Sequence, residues 1–277
     1  NYSFRRYALE RGPAETGFSE ATLARGLDGF FKQLTADNLD ALITQELGHP
    51  QRLDAPVAAK EERLADRAAL AVGPELIVHL AAGAIPNPAF TSIVLGLLTR
   101  SAQFMKCATG SALLPRLFAH SLYEAEPKLG ACLEIAEWPG GNEGLEAALF
   151  AEADCVTATG ADETLESIRR RLPPKVRFLD YGHRVSFGYI TQEMLSGHQV
   201  KRLAADAARD VAAWNQLGCL SPHVFYVERG GRIPGKVFAE MLANELEKRE
   251  IAEPRGPVRP ESAAAFASRR ARYEVRA

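Results

Sequence analysis

Cysteine is scarce in this chain. The four residues, Cys107, Cys132, Cys155 and Cys219, stand far apart with no CxxC or Cys/His spacing, so neither a disulfide framework nor a zinc site is indicated. Excess charge of one sign is also lacking. Lys and Arg number 33 against 35 Asp and Glu, a formal net charge of −2, which gives no electrostatic case for nucleic acid or an anionic membrane as the main partner. No apolar run approaches the ~18 residues of a membrane span. The opening stretch Asn1-Tyr2-Ser3-Phe4-Arg5-Arg6 has no initiator Met and no apolar core of a secretory signal, and a reducing cytoplasm is the expected compartment. No Gly-x-Gly-x-x-Gly follows any strand pattern, against an ordinary Rossmann dehydrogenase, and no Gly-x-Ser-x-Gly elbow is present for a serine hydrolase. Repeats and low-complexity linkers are missing too.

What remains is an ordinary globular composition, 47% hydrophobic and 25% charged over 277 residues, with ample material for a core. Residues 1–72 read as a helical region. Leu23, Leu27, Phe30, Phe31 and Leu34 are at helical spacing over 20–34, and Leu39, Leu42, Ile43 and Leu47 repeat this over 38–47. Gly48-His49-Pro50 ends that segment, and a third helix is expected over 58–70. From Pro74 short apolar runs alternate with helical patterns. Strands are expected at 76–80, 102–106, 131–136, 154–158 and 176–179, with helices at 90–98, 112–123, 144–150 and 161–172. Each strand is a continuous apolar run rather than an alternating one, which indicates a parallel α/β sheet. Such sheets bind ligands beyond their C-terminal strand ends, here residues 83–87, 106–110, 138–142 and 159–163. The pattern divides the chain into a helical region (1–72), an α/β domain (73–180) and the start of a further domain (181–277).

In this third region a single long helix is expected over 191–217, stopping at Gly218. Cys219 follows at once, then Pro222 and a strand over 224–227, with further helices from Pro234 and over 262–272. A thiol on a tight helix-to-strand connection can face a cleft, yet a lone cysteine beside an apolar run is more often buried and inert. Lys106 ends an expected strand, where it can reach a ribose hydroxyl or a phosphate or stand solvated at a loop edge. Thr159-Gly160 follows a strand and opens a helix, offering free N–H groups to a pyrophosphate. Among six histidines, His79 lies in an apolar strand and reads as a core residue. His49, His120 and His198 have no ligand spacing. His183 and His223 are the two worth keeping.

Taken in order, Ala82-Gly83-Ala84-Ile85-Pro86, Gln103-Phe104-Met105-Lys106, the segment Cys155 to Gly160, the segment Tyr181 to Phe187 and the stretch 214–227 resemble the acyl-CoA reductase family. That family includes the fatty-acid reductase of bacterial luminescence and lies within the aldehyde dehydrogenase superfamily. The likeness covers roughly residues 70–250, and its most specific segment is Asn215-Gln216-Leu217-Gly218-Cys219-Leu220-Ser221-Pro222. It implies an aldehyde-dehydrogenase-like three-layer α/β fold with N-terminal helices and an incomplete catalytic domain. Cys219 is then the nucleophile toward an acyl-CoA or other acyl thioester, and NADPH the reductant that releases an aldehyde. Lys106 matches the lysine on the adenosine ribose, and Thr159 and Gly160 match the segment under the pyrophosphate. NAD-linked members carry a glutamate three positions after that lysine. Thr109 stands there instead, which favours NADPH while leaving NADH possible.

Where aldehyde-oxidising members carry a glutamate base this chain has Asp180-Tyr181-Gly182-His183, which suits a reductase unless Asp180 substitutes as the base. His183 becomes a candidate proton donor, with an ordinary loop role as the equal alternative. The family's Gly-Asn-Val-Pro loop reads Gly83-Ala84-Ile85-Pro86 here, leaving Asn87 as the candidate amide donor to the oxyanion. The chain ends soon after Cys219, so a fragment is expected, and a homo-oligomer is the superfamily habit. Two rivals stay open: a reductase of acyl phosphates with the same cysteine, and a non-catalytic scaffold that keeps the fold.

Overall fold

The computed structural model describes residues 2–83, 85–258 and 260–275. The chain divides into two compact units, one of residues 1–8 and 25–183, the other of 9–24 and 184–277. Its helices and strands run, in order, α1 (Tyr2–Thr16), α2 (Glu20–Gln33), α3 (Ala36–Leu47), α4 (Lys60–Leu64), β1 (Leu76–Leu80), α5 (Pro86–Leu98), β2 (Ala102–Cys107), α6 (Leu113–Ala125), α7 (Pro127–Gly130) and β3 (Leu133–Glu137). They continue with α8 (Glu143–Glu152), β4 (Cys155–Thr159), α9 (Asp162–Arg171), β5 (Arg177–Tyr181), β6 (Phe187–Ile190), α10 (Gln192–Ser196) and α11 (Val200–Ala212). A 3-10 turn (Ala213–Gln216), β7 (Val224–Val227), α12 (Gly235–Ala252) and α13 (Pro260–Glu274) complete the described chain.

The first unit is built on a parallel five-stranded sheet of order β3-β2-β1-β4-β5. The order reverses beside β1, and open sheets of this type place their ligand crevice at that reversal. Continuous apolar strands are what two covered faces require. On one face Val78, Leu80, Val156 and Ala158 pack against Phe150 of α8 and Leu165 and Ile168 of α9. A second apolar group joins helices α2, α5 and α6: the Phe90 ring lies 5.0 Å from Phe118 and 5.5 Å from Phe30, and Phe31 lies 5.5 Å from Phe118.

One polar network runs through this sheet. His79, 3% exposed, is held between Thr157 Oγ1 (2.7 Å) and Gln103 Oε1 (3.0 Å). The Gln103 amide in turn donates to the Ile93 carbonyl (3.2 Å), so the His79 Nε2–H donates to Gln103 and Nδ1 accepts from Thr157. Burial pushes the His79 pKa down to about 4, and the ring is neutral near pH 7. His79 is thus the satisfied core residue its sequence setting indicated. Gly96 allows α5 to lie against this network, because a Cβ there would sit 2.2 Å from Gln103 Oε1.

The second unit is smaller in sheet and richer in helix. Strands β6 and β7 pair in parallel through the α11 crossover, with Phe187 opposite Val224 and Tyr189 opposite Tyr226. Side chains alternate across this sheet as strand geometry requires. Ile190, Phe225 and Val227 turn to a core with Leu195, Val200, Ala204, Ala207 and Phe238. Phe187, Tyr189, Val224 and Tyr226 form an exposed aromatic face, with the Phe187 and Tyr226 rings 5.6 Å apart. Gly188 is needed between them, since a Cβ there would meet the Phe225 ring at 2.3 Å.

Two expected helices are corrected. The segment 58–70 is helical only over Lys60–Leu64. Asp66 turns left-handed (φ 51), and Val57 pairs with Ala69 in an antiparallel bridge, so the chain doubles back. The single helix over 191–217 is three pieces, interrupted after Ser196 and ended at Ala212. Trp214, Asn215 and Gln216 then take left-handed dihedrals (φ 50, 54 and 64), and the Trp214 ring packs edge-on against Phe18 at 5.1 Å. Three such residues in a row are costly at about 1–2 kcal/mol each, so the turn is held by tertiary contacts that helical periodicity does not reveal.

Candidate active site

Cys219 lies on the connection from the 3-10 turn to β7 and is exposed. The connection is tied down from several sides. Ser186 Oγ, just ahead of β6, donates to the Cys219 carbonyl, and the His223 N–H donates back to the Ser186 carbonyl at 2.9 Å. Ser221, 3% exposed, gives its N–H to Gly218 O (3.0 Å) and its hydroxyl to Ala213 O (3.2 Å). Gln216 Nε2 reaches the Pro222 carbonyl at 3.2 Å. These bonds hold the loop's backbone at Ala213, Gly218, Cys219 and Pro222, which fixes the cysteine while leaving its thiol exposed. Within its unit the Cys219 sulfur has no hydrogen-bond partner among the described residues. Ser186, Ser221 and Gln216 stand in the segments that carry the family likeness, but their roles as ties of this loop were not read from sequence; that of Ser186 depends on the β6–β7 pairing.

Farther along, Glu228 accepts from the Tyr189 hydroxyl and the Gln192 N–H, both at 2.5 Å. The Tyr189 hydrogen bond, then the backbone one, holds the Glu228 carboxyl below its usual range, while the same contact raises the Tyr189 phenol. This clamps the end of β6 to the chain after β7.

The remaining site candidates belong to the first unit. Leu80 of β1 pairs with Lys106 of β2 on one side and Ala158 of β4 on the other. Strands lie ~4.8 Å apart, so Lys106 and the Thr159-Gly160 turn flank the end of β1 about 10 Å from each other. Lys106 is only 8% exposed, with its Nζ 6.0 Å from the centre of the Trp138 ring and no carboxylate in ion-pair reach among the described residues. A lysine whose stem is buried and whose ammonium meets no counter-charge suits an anion or a cluster of hydroxyls. Trp138 Nε1 is buried without a hydrogen-bond partner, a second unmet polar group at the same edge.

Thr109 is exposed in the turn after β2, where Gly110 (φ 74) gives its N–H to Glu137 Oε1 at 2.8 Å. That carboxylate escaped sequence reading, since it lies one strand over. The Gly160 N–H is bound to Tyr181 O at 3.3 Å. Helix α9 opens with Asp162 and Glu163, and Asp162 Oδ1 accepts from the His183 N–H at 3.0 Å. His183 has an exposed side chain, and Asp180 is engaged by Arg169 at 2.9 Å. Asn87 is in the first turn of α5, and its Oδ1 is buried with no partner. Ala84 of the Gly83–Pro86 loop lies outside the described residues. Among the described residues no cluster of His, Cys, Asp or Glu could hold a metal.

A parallel sheet with Lys106 at a strand end, followed by a unit bearing an exposed cysteine, is the architecture of the aldehyde dehydrogenase fold. The aldehyde dehydrogenase PutA of Anabaena variabilis matches over 94% of this chain and 53% of its own, with TM-score 0.65 and 16% identity. KauB of Pseudomonas aeruginosa matches over 88% and 48%, with TM-score 0.61 and 15% identity. The whole chain, residues 1–277, matches the family described as acyl-CoA reductase (LuxC), and it belongs to that family. Among its relatives are long-chain acyl-protein thioester reductases. That of Aliivibrio fischeri is 26% identical over 208 residues, 72% of this chain and 42% of that protein. That of Vibrio harveyi is 23% identical over 152 residues, 54% of this chain and 31% of that protein. The chain therefore spans less than half the length of these relatives. Among the described residues, no helix is long and apolar enough to cross a membrane.

Proposed function

We propose that the protein reduces an acyl thioester to an aldehyde through a covalent acyl-Cys219. The observation that carries this is the exposed Cys219 on a fixed helix-to-strand connection, in a chain of the acyl-CoA reductase family. The sulfur attacks the thioester carbonyl carbon, the bond to the departing thiol breaks, and that thiol leaves with a proton. A reduced nicotinamide, NADPH in preference to NADH, supplies the hydride. The resulting thiohemiacetal on Cys219 loses its hydroxyl proton, the carbon–sulfur bond breaks, and the aldehyde leaves. The sulfur then takes back a proton.

The residues of this chain have separable tasks in that scheme. Lys106, buried without a counter-charge, would hold the cofactor's ribose or its phosphate. Thr159 and Gly160 would lie under the pyrophosphate, and Thr109 would leave space beside the ribose. The Asn87 amide, turned over, would present N–H donors in place of its unpartnered oxygen, as an acyl oxyanion requires. His183 would return a proton to oxygen. Asp180 is held by Arg169, so it is not a free base for hydrolysis of the acyl-enzyme. The family's description points to acyl-CoA as donor, whereas the relatives' names point to a protein-bound acyl group. Following nicotinamide absorbance with acyl-CoA, acylated carrier protein and acyl phosphate decides among them. Turnover with acyl phosphate and with neither thioester would overturn the reading.

A further inference from the structure

The first unit contains a cavity of about 350 Å³ that Lys106, Thr109, Thr159 and Gly160 do not line. That is at the lower end of the ~300–1,000 Å³ of small-molecule sites. Its walls come from α1, α2, α5 and α6, and they are almost wholly apolar: Leu27, Phe31, Phe90, Leu114, Leu117 and Phe118. Leu27, Phe90, Leu114 and Phe118 are buried side chains, and the Phe31, Phe90 and Phe118 rings pack as one wall. The charged pair in the lining is already satisfied. Arg5 Nε and Nη2 donate to the two Asp28 oxygens at 2.7 Å each, so the pair has little to offer a charged ligand. An apolar hollow of this size admits a chain of methylenes and no polar group that needs a partner.

Its position along α5 adds a second argument. Asn87 precedes Phe90 by three residues, one turn or about 4.5 Å up the same face of the helix. Asn87 carries the buried, unpartnered amide oxygen, and Phe90 forms the cavity wall. With the Asn87 amide turned over so that its N–H donors replace that oxygen, a group with a carbonyl at one end and an aliphatic tail at the other matches that sequence of surroundings.

We propose that this hollow under the N-terminal helices is the binding site for the aliphatic tail of the substrate, entered from the Asn87 end of α5. The assignment rests on the acyl-thioester reading for the identity of the tail, though not for the hollow's taste for alkyl chains. Straight-chain alcohols, butanol to decanol, test it by calorimetry on the full-length protein. Affinity should rise about fourfold per added carbon, the ~0.8 kcal/mol of a buried methylene, until the hollow is full. Two variants fill the hollow from different helices, Ala8→Trp from α1 and Ser121→Phe from α6. Each, checked for folding by circular dichroism, should end the rise at a shorter chain, while Cys219→Ala should leave it unchanged. Dodecanoate and dodecanoyl-CoA should both compete with decanol, identifying the shared tail rather than the headgroup as the bound portion. An affinity independent of chain length, or a rise that neither folded variant shortens, overturns the proposal. If alkyl binding behaves as stated while Cys219 is never acylated, the hollow stands and the thioester reading falls.

Discussion

The two units hold their functional groups in opposite ways. At the strand ends of the first, Trp138 Nε1 and Asn87 Oδ1 are polar atoms withdrawn from water without partners, and Lys106 is largely buried with no counter-charge among the described residues. In the second, Cys219 stands in the open while Ser186, Gln216 and Ser221 tie the loop around it. Unmet buried groups are the mark of a place completed by a ligand, because each costs about 1–3 kcal/mol until it is paired. A fixed loop around a bare side chain is the mark of a group that must meet a reactant in one orientation. On the proposed function, the first unit would bind and the second react.

The largest expected effect falls on the reacting side. Cys219→Ala should lower aldehyde formation by at least a thousandfold, measured as acyl-dependent loss of reduced nicotinamide, with the melting temperature unmoved. An equally active variant would erase the contrast between the units. On the binding side, Lys106→Met should weaken nicotinamide dinucleotide binding about 10- to 100-fold, the worth of a hydrogen bond to a charged group. Titration of the intrinsic fluorescence of the nearby Trp138 reads this directly.

Stability should separate the units as well. Gly96→Ala places a methyl group where Gln103 Oε1 lies, and overpacking of this kind costs about 1–3 kcal/mol. Denaturant unfolding should show the loss in the first unit. The His79 network gives a pH signature. Its folded pKa, about 4, lies below the 6.5 of the free side chain, so the unfolded state takes up the proton first. Stability is therefore full above about pH 6.5 and falls toward pH 4, by about 3 kcal/mol in all, and His79→Gln should flatten that slope.

The smallest effect concerns cofactor choice. Thr109 alone suggested an open, uncharged place for a 2′-phosphate, but Glu137 bonds to Gly110 beside it. Glu137→Gln should shift the ratio of kcat/KM for NADPH over NADH upward by about threefold, the scale of a partly exposed charge. An unchanged ratio would place the phosphate away from this turn.

The parallel sheet was legible chiefly from its central strands β1 and β4, short apolar runs of the kind burial on both faces dictates, whereas the edge strands β3 and β5 carry charged residues and are more exposed. Lys106 and Thr159-Gly160 were legible by position, as residues that follow such runs. Strand β6 was not, for Phe187-Gly188-Tyr189-Ile190 is short and interrupted by a glycine whose need appears only when Phe225 crosses it. The left-handed turn at Trp214 was hidden for a similar reason, since its partner Phe18 is far away in sequence. The same holds for Glu137, which reaches Gly110 only through strand order. Local pattern reports local structure, and these features are tertiary.

The central claim is that Cys219 takes the acyl group. Mass spectrometry of the folded protein after brief exposure to an acyl thioester, without nicotinamide, tests it most directly. The account expects one acyl group, on the peptide containing Cys219, absent in Cys219→Ala and discharged when NADPH is added. Acylation at Cys132, the other exposed cysteine, or none at all from either acyl-CoA or an acylated carrier protein, would contradict it.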